Sequence, residues 1–395
     1  MERARLEEAS LSGVDVAVAG GGVIGLSAAW AIARAGRRVA IVDPTPGRGA
    51  AWVAAGMLAP ANEAFFGEEP LARLLLAGAA RWPTFAEELE TASGSVIGFE
   101  TSGTIVIACD PSDRAALDQL LAFRRSIGLE SRRLSASECR RLIPALSPAI
   151  CGGAEVPGDH QVDNRLLVEA LLEACRRAGV VFVAERAARV RSDPGGRAAG
   201  LITHEGTTIR SAAVLVAMGW QSPELGGVPP GVLPEVRPVK GHILRLAGTG
   251  RLIERTVRGL VRGRSCYLVP RRDDSIVVGA TVEEVGPDRR VQAGAVHALL
   301  DDARSLVPGI DELELSECSV GLRPGSPDNG PFVGWSEVEG LAVATGHYRN
   351  GVLLAPITAD GIVALLDGGS TASELEPFSL STRSRRVASL ESPRR

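Results

Sequence analysis

Three glycines near the start of the chain constrain its fold more than any other feature. The segment VDVAVAG is a short β-branched apolar run typical of a buried strand, and VIGLSAAWAIARAG is a small-residue segment typical of a helix. RRVAIVD follows as a second apolar strand. Gly20, Gly22 and Gly25 therefore form a G-x-G-x-x-G motif between strand and helix, and Asp43 ends the second strand. This pattern predicts a βαβ unit that binds a dinucleotide.

Each residue of the motif has a physical task. The first glycine permits a tight turn, the second lets the backbone approach a pyrophosphate, and the third lets helix and strand pack closely. The helix N-terminus offers unpaired N–H groups and the positive end of its dipole. A carboxylate at Asp43 can accept a hydrogen bond from a ribose 2′-OH, which favours FAD or NAD over NADP. The motif does not separate FAD from NAD, and a purely structural glycine turn is the competing interpretation.

Composition narrows the class of protein. The chain has 395 residues, 45% of them hydrophobic and 23% charged, which is typical of a soluble globular protein with one large domain or two interleaved ones. A formal net charge of -4 provides no basic excess for phosphates, so nucleic-acid binding is not expected. The six cysteines show no C-x-x-C pair, which predicts reduced thiols in a cytoplasmic protein. Neither a signal peptide nor a membrane anchor is evident, so no membrane association is expected.

The rest of the chain alternates between two kinds of pattern. Helices are predicted over 111–128, 135–143 and 289–306, whereas PVKGHILRLAG, SCYLVPR and SIVVGATVEE are typical of antiparallel strands. The segment SECSVGLRPGSPDNGPFVG is predicted to be loop-rich, and GVLLAPITADGIVALLDG to be helical. Because parallel-type units bracket antiparallel ones, we expect two domains built from non-contiguous segments.

Several motifs in order carry a resemblance to a known family. GGGVIG, AAGMLAP, CYLVPR, VVGAT, GLRPGSPDNGPFVG and GHYRNGVLLAP resemble the glycine oxidase family of thiamine synthesis, which belongs to the D-amino acid oxidase type of FAD-dependent oxidoreductases. The resemblance covers roughly residues 14–370, and the GLRPG and GHYRNG segments contribute most to its specificity. It implies an α/β fold with a FAD-binding Rossmann-like domain of the glutathione reductase type and an interleaved antiparallel-sheet substrate domain.

The resemblance also implies domain boundaries and a non-covalently bound FAD. The expected segments are 14–95, 151–235 and 326–370 for the FAD-binding domain, 96–150 and 236–325 for the substrate domain, and 1–13 and 376–395 as flexible tails. The implied cofactor-binding residues are Gly20, Gly22, Val23, Ile24, Gly25, Asp43, Pro44, Ala50, Ala51, Ala54, Ala55, Gly56, Met57, Ala187, Gly219, His347, Tyr348, Arg349, Asn350, Gly351, Val352 and Leu353.

Three further residues are implied at the substrate. Arg323 would pair with the substrate carboxylate, Tyr267 would assist it, and Arg349 would line the same pocket. A planar guanidinium fork suits a carboxylate, although an exposed arginine in a turn is otherwise the commoner interpretation. A strand tyrosine such as Tyr267 is more often a core residue, so its role depends on the resemblance. The position of His242 relative to the site is left open.

The predicted activity is oxidation of glycine by hydride transfer to flavin. O₂ would reoxidise the flavin to give H₂O₂, the imine or glyoxylate would be the other product, and sarcosine or small D-amino acids would be secondary substrates. A helix that begins near Gly351 would stabilise negative charge on the flavin. The resemblance implies a homo-oligomer, a tetramer. Val282 and Ser265 stand where relatives often have methionine and histidine, which leaves glycine selectivity open.

Three alternative functions remain open. The first is a D-amino acid dehydrogenase that uses an acceptor other than O₂, and the second is a flavin-binding protein without catalysis. The third is an NAD dehydrogenase, because the glycine motif is shared by both cofactors.

Overall fold

The computed structural model of the protein describes residues 12–383 and contains two large sheets. The strands in chain order are β1 (Ser12–Ala19), β2 (Val39–Val42), β3 (Met57–Leu58), β4 (Thr104–Ala108), β5 (Arg132–Leu134), β6 (Gly152–Val156), β7 (His160–Gln161), β8 (Val181–Val183), β9 (Ala187–Ser192), β10 (Ala198–Thr203), β11 (Thr208–Val216), β12 (Arg237–Ala247), β13 (Thr256–Val261), β14 (Arg264–Pro270), β15 (Ile276–Gly279), β16 (Glu314–Gly325), β17 (Phe332–Trp335) and β18 (Leu341–Thr345). The helices are α1 (Val23–Arg34), α2 (Ala50–Val53), α3 (Glu69–Ser93), α4 (Pro111–Ser126), α5 (Ala136–Leu142), α6 (Asn164–Arg177), α7 (Ala293–Leu306) and α8 (Gly351–Leu366).

The first sheet contains the predicted βαβ unit. Its order is β17-β18-β11-β1-β2-β8, with β10 and β9 extending from β11, and β1 pairs in parallel with both β11 and β2. The central strands are buried on both faces, as expected for a covered parallel sheet. Helices α1, α3, α6 and α8 cover one face of this sheet, around Trp30 and Trp82. Helix α1 begins only four residues after the end of β1. The predicted strand-helix-strand unit is confirmed.

The second sheet is mostly antiparallel, in the order β16-β12-β15-β14-β13-β4-β6-β5. Its side chains alternate between two faces, because successive residues of a strand point to opposite sides. Leu244, Leu268 and Val278 pack with Leu299 of α7 on one face. On the other face, Ile243, Val269 and Val277 pack with Ala55, which follows α2. The α/β architecture with an interleaved antiparallel sheet is therefore confirmed.

Two sequence predictions about segments are wrong. The strand β6 was assigned with 151–235 to the FAD-binding domain, but it pairs with β4 and β5 in the second sheet. The segment SECSVGLRPGSPDNGPFVG is not loop-rich, since most of it forms β16, and PFVGW contributes β17. Strand β16 forms because it pairs with β12 along nearly its whole length, from Glu314 to Gly325.

The predicted tails are partly wrong as well. Strand β1 already begins at Ser12, inside the predicted tail 1–13. At the other end Phe378 is buried, and the guanidinium of Arg383 lies 3.6 Å from the ring centroid of Phe332. Residues 376–383 therefore pack on the first sheet, whereas residues 1–11 and 384–395 lie outside the described residues. Within the described range, no helix is both long and apolar enough to cross a bilayer.

Candidate active site

A cavity of about 820 Å³ lies between the carboxyl ends of the first sheet's central strands and the second sheet. This volume lies in the upper part of the range for small-molecule sites. The cavity is lined by Arg323, Tyr267 and Arg349 and by every predicted cofactor-binding residue except Gly25. Gly25 lies behind the wall, where an added Cβ would be 1.9 Å from the Gly20 carbonyl oxygen, so its task is the close packing of α1 on β1.

One end of the cavity is formed by the glycine turn and the start of α1. Gly20 has a φ of +101°, and an added Cβ would lie 2.5 Å from the Ala217 carbonyl oxygen. Gly22 begins the helix without a side-chain cap, and a Cβ there would meet nothing within 4 Å. The first-turn N–H groups of α1 are therefore left for an anion, as a pyrophosphate requires.

Asp43 closes the same end. Its carboxylate accepts hydrogen bonds from the backbone N–H groups of Gly21 at 2.7 Å and Thr45 at 2.8 Å. It therefore fastens the glycine turn to the end of β2. A carboxylate has about four acceptor positions, so two bonds leave capacity for the ribose hydroxyl that the sequence predicts.

The middle of the cavity is lined by the small-residue segment around α2. Gly56 has a φ of +68°, and a Cβ there would lie 2.0 Å from the Val162 carbonyl oxygen, so the backbone runs tightly against its neighbour. Buried Arg271 donates to the Ala55 carbonyl at 2.6 Å, and buried Asn164 donates to the Ala51 carbonyl at 2.8 Å. These two side chains fix a wall of alanines past which a flat ring can lie.

The segment GHYRNG forms the turn that starts α8. Asn350 begins this helix with no side-chain cap, and its buried amide nitrogen has no hydrogen-bond partner among the described residues. His347 Nε2 lies 3.0 Å from Thr358 Oγ1, and burial lowers the pKa of His347 to about 3, which keeps the imidazole neutral. A second helix N-terminus thus faces the cavity, with one donor left unused.

Arg323 and Tyr267 lie over glycines of the second sheet. The guanidinium of Arg323 occupies the space above Gly241, where an added Cβ would be 2.3 Å from Nη1, and Nη1 donates to the Thr281 carbonyl at 3.1 Å. The Tyr267 ring covers Gly279, where a Cβ would be 2.4 Å from the hydroxyl. Burial raises the pKa of Tyr267, so its hydroxyl stays protonated and can donate.

Two residues near Arg349, Glu63 and Arg258, could not be identified from the sequence. Buried Glu63 accepts a hydrogen bond from Arg258 Nη1 at 2.7 Å and also pairs with Arg349 Nε. Burial by itself raises the pKa of Glu63, but the guanidinium groups of Arg258 and Arg349 outweigh it and hold the pKa below its usual range. Glu63 and Arg258 are 195 residues apart, so no local spacing marks the pair.

The two predicted arginines therefore differ in their charge environment. Arg349 forms an ion pair with Glu63, whose carboxylate it shares with Arg258, and stacks against Phe65, with its guanidinium carbon 4.7 Å from the ring centroid. Arg323 has no carboxylate within 4 Å among the residues that the structure describes. A half-buried cation without a counter-ion favours an anionic ligand, and this description fits Arg323 better than Arg349.

The other residues singled out in the sequence lie on both faces of the second sheet. Val282 and Ser265, the two departures from the family pattern, both line the cavity, and Val282 is 63% exposed. His242 is fully buried and lies on the face of β12 that points away from the cavity. Cys266 also lies on the far face from Tyr267, as its neighbouring position in the strand predicts.

The residues present fit FAD. The cavity has an uncapped helix N-terminus at each of two places, an acidic residue beside the first and a wall of small residues between them. A dinucleotide needs the first helix for its pyrophosphate, whereas the second suits the electron-rich edge of an isoalloxazine. The buried, unpartnered amide of Asn350 requires an acceptor that the described chain does not supply.

Comparison with known proteins agrees with this geometry. The model of the family described as FAD dependent oxidoreductase matches residues 15–365. Glycine oxidase of Geobacillus kaustophilus is 36% identical over 370 residues, which are 93% of this chain and 96% of that protein. The crystal structure of glycine oxidase from Geobacillus kaustophilus matches with a TM-score of 0.86 at 37% identity, over 93% of this chain and 98% of that one. The bifunctional protein ThiO/ThiG of Synechocystis is 33% identical over 87% of this chain and 50% of its own length.

Proposed function

The chain belongs to the FAD dependent oxidoreductase family, and on this premise we propose that it is a glycine oxidase. It oxidises the amine of glycine to the imine and transfers both electrons to O₂, which gives H₂O₂. Water then converts the imine to glyoxylate and ammonia. The observation that carries the proposal is the guanidinium of Arg323, which faces the cofactor cavity with no carboxylate partner among the described residues.

The family membership decides between the cofactors. FAD replaces the NAD alternative, because the family is FAD-dependent and the cavity has room for a flat ring beside the alanine wall. When bound, FAD supplies the acceptor for the hydride that leaves Cα and passes the electrons to O₂. The chain's own task is to hold the amino acid in one orientation, because positioning alone lowers the barrier substantially.

The substrate end holds a small amino acid by its carboxylate. Arg323 presents a fork of N–H donors, and Tyr267 adds a hydroxyl on the same face of the sheet. In the Arg258–Glu63–Arg349 cluster, two guanidinium groups share one carboxylate, so Arg349 is partly compensated and Arg323 is not. With the carboxylate fixed at Arg323, Cα of glycine is left to face the alanine wall and the start of α8.

Finer properties follow from the relatives. We propose that the imine or glyoxylate feeds the thiazole part of thiamine, because proteins named ThiO/ThiG match this chain over 87% of its length. A cytoplasmic location is consistent with six cysteines that are all free thiols. A homo-oligomer, a tetramer by family resemblance, stays a prediction.

The test is a peroxide assay of the FAD-loaded protein on glycine, sarcosine, D-alanine and D-proline. Glycine should give the highest kcat/KM, with H₂O₂ formed in equal amount to the imine or glyoxylate. If glycine bleaches the flavin anaerobically but yields no peroxide in air, the protein is a dehydrogenase with another acceptor. If no amino acid bleaches it, the protein binds flavin without this catalysis, and the proposal is wrong.

A further inference from the structure

Two buried polar side chains lie on the far face of the substrate sheet, directly behind Arg323. Lys240, the chain's single lysine, and His242 are both 0% exposed and are separated by Gly241, over which the Arg323 guanidinium lies. An ammonium removed from water is costly unless it is paired and hydrogen-bonded. A buried ammonium beside a buried imidazole therefore needs a structural or functional reason.

Lys240 binds the loop of residues 280–292, which follows β15. Its Nζ donates to Asp288 Oδ2 at 2.9 Å and to Gln292 Oε1 at 2.6 Å. Its backbone pairs with Glu283 in both directions, with N···O distances of 2.9 Å and 3.0 Å. The one lysine thus fixes the beginning, the middle and the end of the loop.

His242 binds the same loop at two more points. The backbone N–H of Gln292 donates to Nε2 at 3.1 Å, so Nε2 is an acceptor and the ring proton is on Nδ1. Nδ1 lies 3.0 Å from Glu283 Oε1 and 2.9 Å from Thr281 Oγ1. The hydroxyl of Thr281 also accepts from the His242 backbone N–H at 3.0 Å. Both ring nitrogens are therefore used.

The loop that they hold forms one wall of the cavity. Val282, Pro287 and Arg289 line the cavity. The side chains of Val282 and Val285 are largely in solvent, at 63% and 53% exposure. Because these side chains bury little apolar surface, hydrophobic packing contributes little to the position of the loop. Polar contacts hold the loop instead: those of Lys240 and His242 are buried, whereas the Arg237–Glu284 ion pair is solvent-exposed and contributes less.

The loop also contacts the carboxylate anchor directly. Arg323 Nη1 donates to the Thr281 carbonyl at 3.1 Å and lies 3.4 Å from the Lys240 carbonyl. The first of these carbonyls belongs to the loop and the second to the strand that holds it. We propose that Lys240 and His242 are positioning residues, which fix the 280–292 loop so that the Thr281 carbonyl aims the guanidinium of Arg323 at the substrate carboxylate.

This inference rests on the proposed function, because it takes Arg323 as the carboxylate anchor. If it is right, loosening the loop weakens binding of any small carboxylate and affects turnover of bound substrate less. A role in stability alone would instead lower the folded fraction without changing affinity in the molecules that remain folded.

The experiment compares Thr281→Val, His242→Leu and His242→Gln in the FAD-loaded protein. Thr281→Val is nearly isosteric and keeps the carbonyl that contacts Arg323, and His242→Gln keeps one donor and one acceptor. Leu299→Ala in α7 is the control, because it removes packing from the core on the same face, in a hydrophobic cluster that contains no residue of the loop. The readouts are FAD content, KM and kcat for glycine, and the Kd of acetate from its perturbation of the flavin spectrum. Acetate keeps the carboxylate and has no amine to oxidise.

We expect Thr281→Val and His242→Leu to raise both the glycine KM and the acetate Kd about tenfold, with kcat changed less than about threefold. His242→Gln should restore most of the affinity, and Leu299→Ala should leave it unchanged. An unchanged acetate Kd in folded Thr281→Val overturns the inference. Wild type that binds acetate but does not oxidise glycine refutes the proposed function alone. Wild type that does not bind acetate refutes both.

Discussion

The two ends of the cavity are built from different parts of the chain. Apart from the carboxylate of Asp43, the cofactor end is built mainly from backbone and small residues: tightly packed glycines such as Gly20 and Gly56, alanines, and the N–H groups of two uncapped helices. The substrate end is built from charged side chains: Arg323 faces the cavity, and Glu63 forms ion pairs with both Arg258 and Arg349. One end is therefore sensitive to added volume and the other to altered charge.

The difference also sets which end is encoded locally. The glycine turn, α1 and Asp43 lie within about thirty residues of one another, so a short stretch of sequence determines their geometry. The substrate end unites residues from β13, β14 and β16 with the loop before α3, and its geometry depends on strand register across the whole second sheet. Substitutions at the two ends should accordingly fail in different ways.

The largest effect is expected at the backbone-built end, from Gly25→Ala. The added methyl would start 1.9 Å from the Gly20 carbonyl oxygen, so α1 cannot keep its contact with β1. Overpacking of this kind typically costs about 1–3 kcal/mol, and here it also displaces the helix that faces the cavity. We expect the purified protein to contain almost no FAD and to melt at a lower temperature. The measurements are the ratio of FAD to protein and thermal unfolding.

The matched control is Gly22→Ala, only three residues away in sequence. Its φ of -73° suits alanine, and the new Cβ meets nothing within 4 Å in the chain. It should reduce FAD affinity by intruding on the cavity while the cofactor-free protein unfolds as wild type does. If Gly25→Ala retains a full complement of FAD, the backbone at this end tolerates added volume and the comparison fails.

The next effect, which spares the fold and the bound FAD and is therefore narrower, is expected at the substrate end, from Arg323→Ala. Truncating one partner of a buried hydrogen-bonded charge pair costs about 2–5 kcal/mol, which raises the glycine KM roughly thirtyfold or more. FAD should remain bound, because Arg323 belongs to the second sheet and its hydrogen bonds within the described residues go to carbonyls of that sheet and its loop. Steady-state kinetics and the flavin spectrum measure the two effects separately.

Arg289→Ala is the control for this prediction. Arg289 also lines the cavity but is exposed on its rim, so its removal should change KM less than about threefold. Equal increases of KM in both variants would mean that the cavity attracts the carboxylate by its overall charge. Unchanged kinetics in Arg323→Ala would remove this residue from the site.

The contrast between the two ends explains what the sequence could predict. The βαβ unit was predictable because apolar periodicity and glycine spacing are local. Strand β16 was not, because Gly321, Pro324 and Gly325 are typical of turns and its other residues are mostly half-exposed or exposed. Only the long pairing with β12 makes it a strand. Arg323 was therefore identified through family resemblance and not through the pattern of its own segment.

Other residues of the substrate end had no signal at all. Glu63 precedes two phenylalanines in an irregular segment, and Arg258 lies on a short strand, so nothing local relates them. The same applies to Lys240 and His242, whose partners are 39 to 52 residues away in sequence. Long-range charge pairing depends on register, and register follows from the complete sheet.

The smallest effect is expected from His347→Gln, which tests whether the cofactor end is free of titrating charge. Buried His347 has a pKa of about 3, against 6.5 in the unfolded chain, so the unfolded state binds one more proton between these values. Unfolding free energy therefore decreases as the pH falls below 6.5, by about 1 kcal/mol per pH unit from this residue.

Gln can keep the hydrogen bond to Thr358 and does not titrate. Urea unfolding of the cofactor-free proteins at pH 7.5 and 5.5 should show wild type losing about 1 kcal/mol more than the variant. Equal losses would mean that the imidazole reaches water, and the cofactor end would then share the charge dependence of the substrate end.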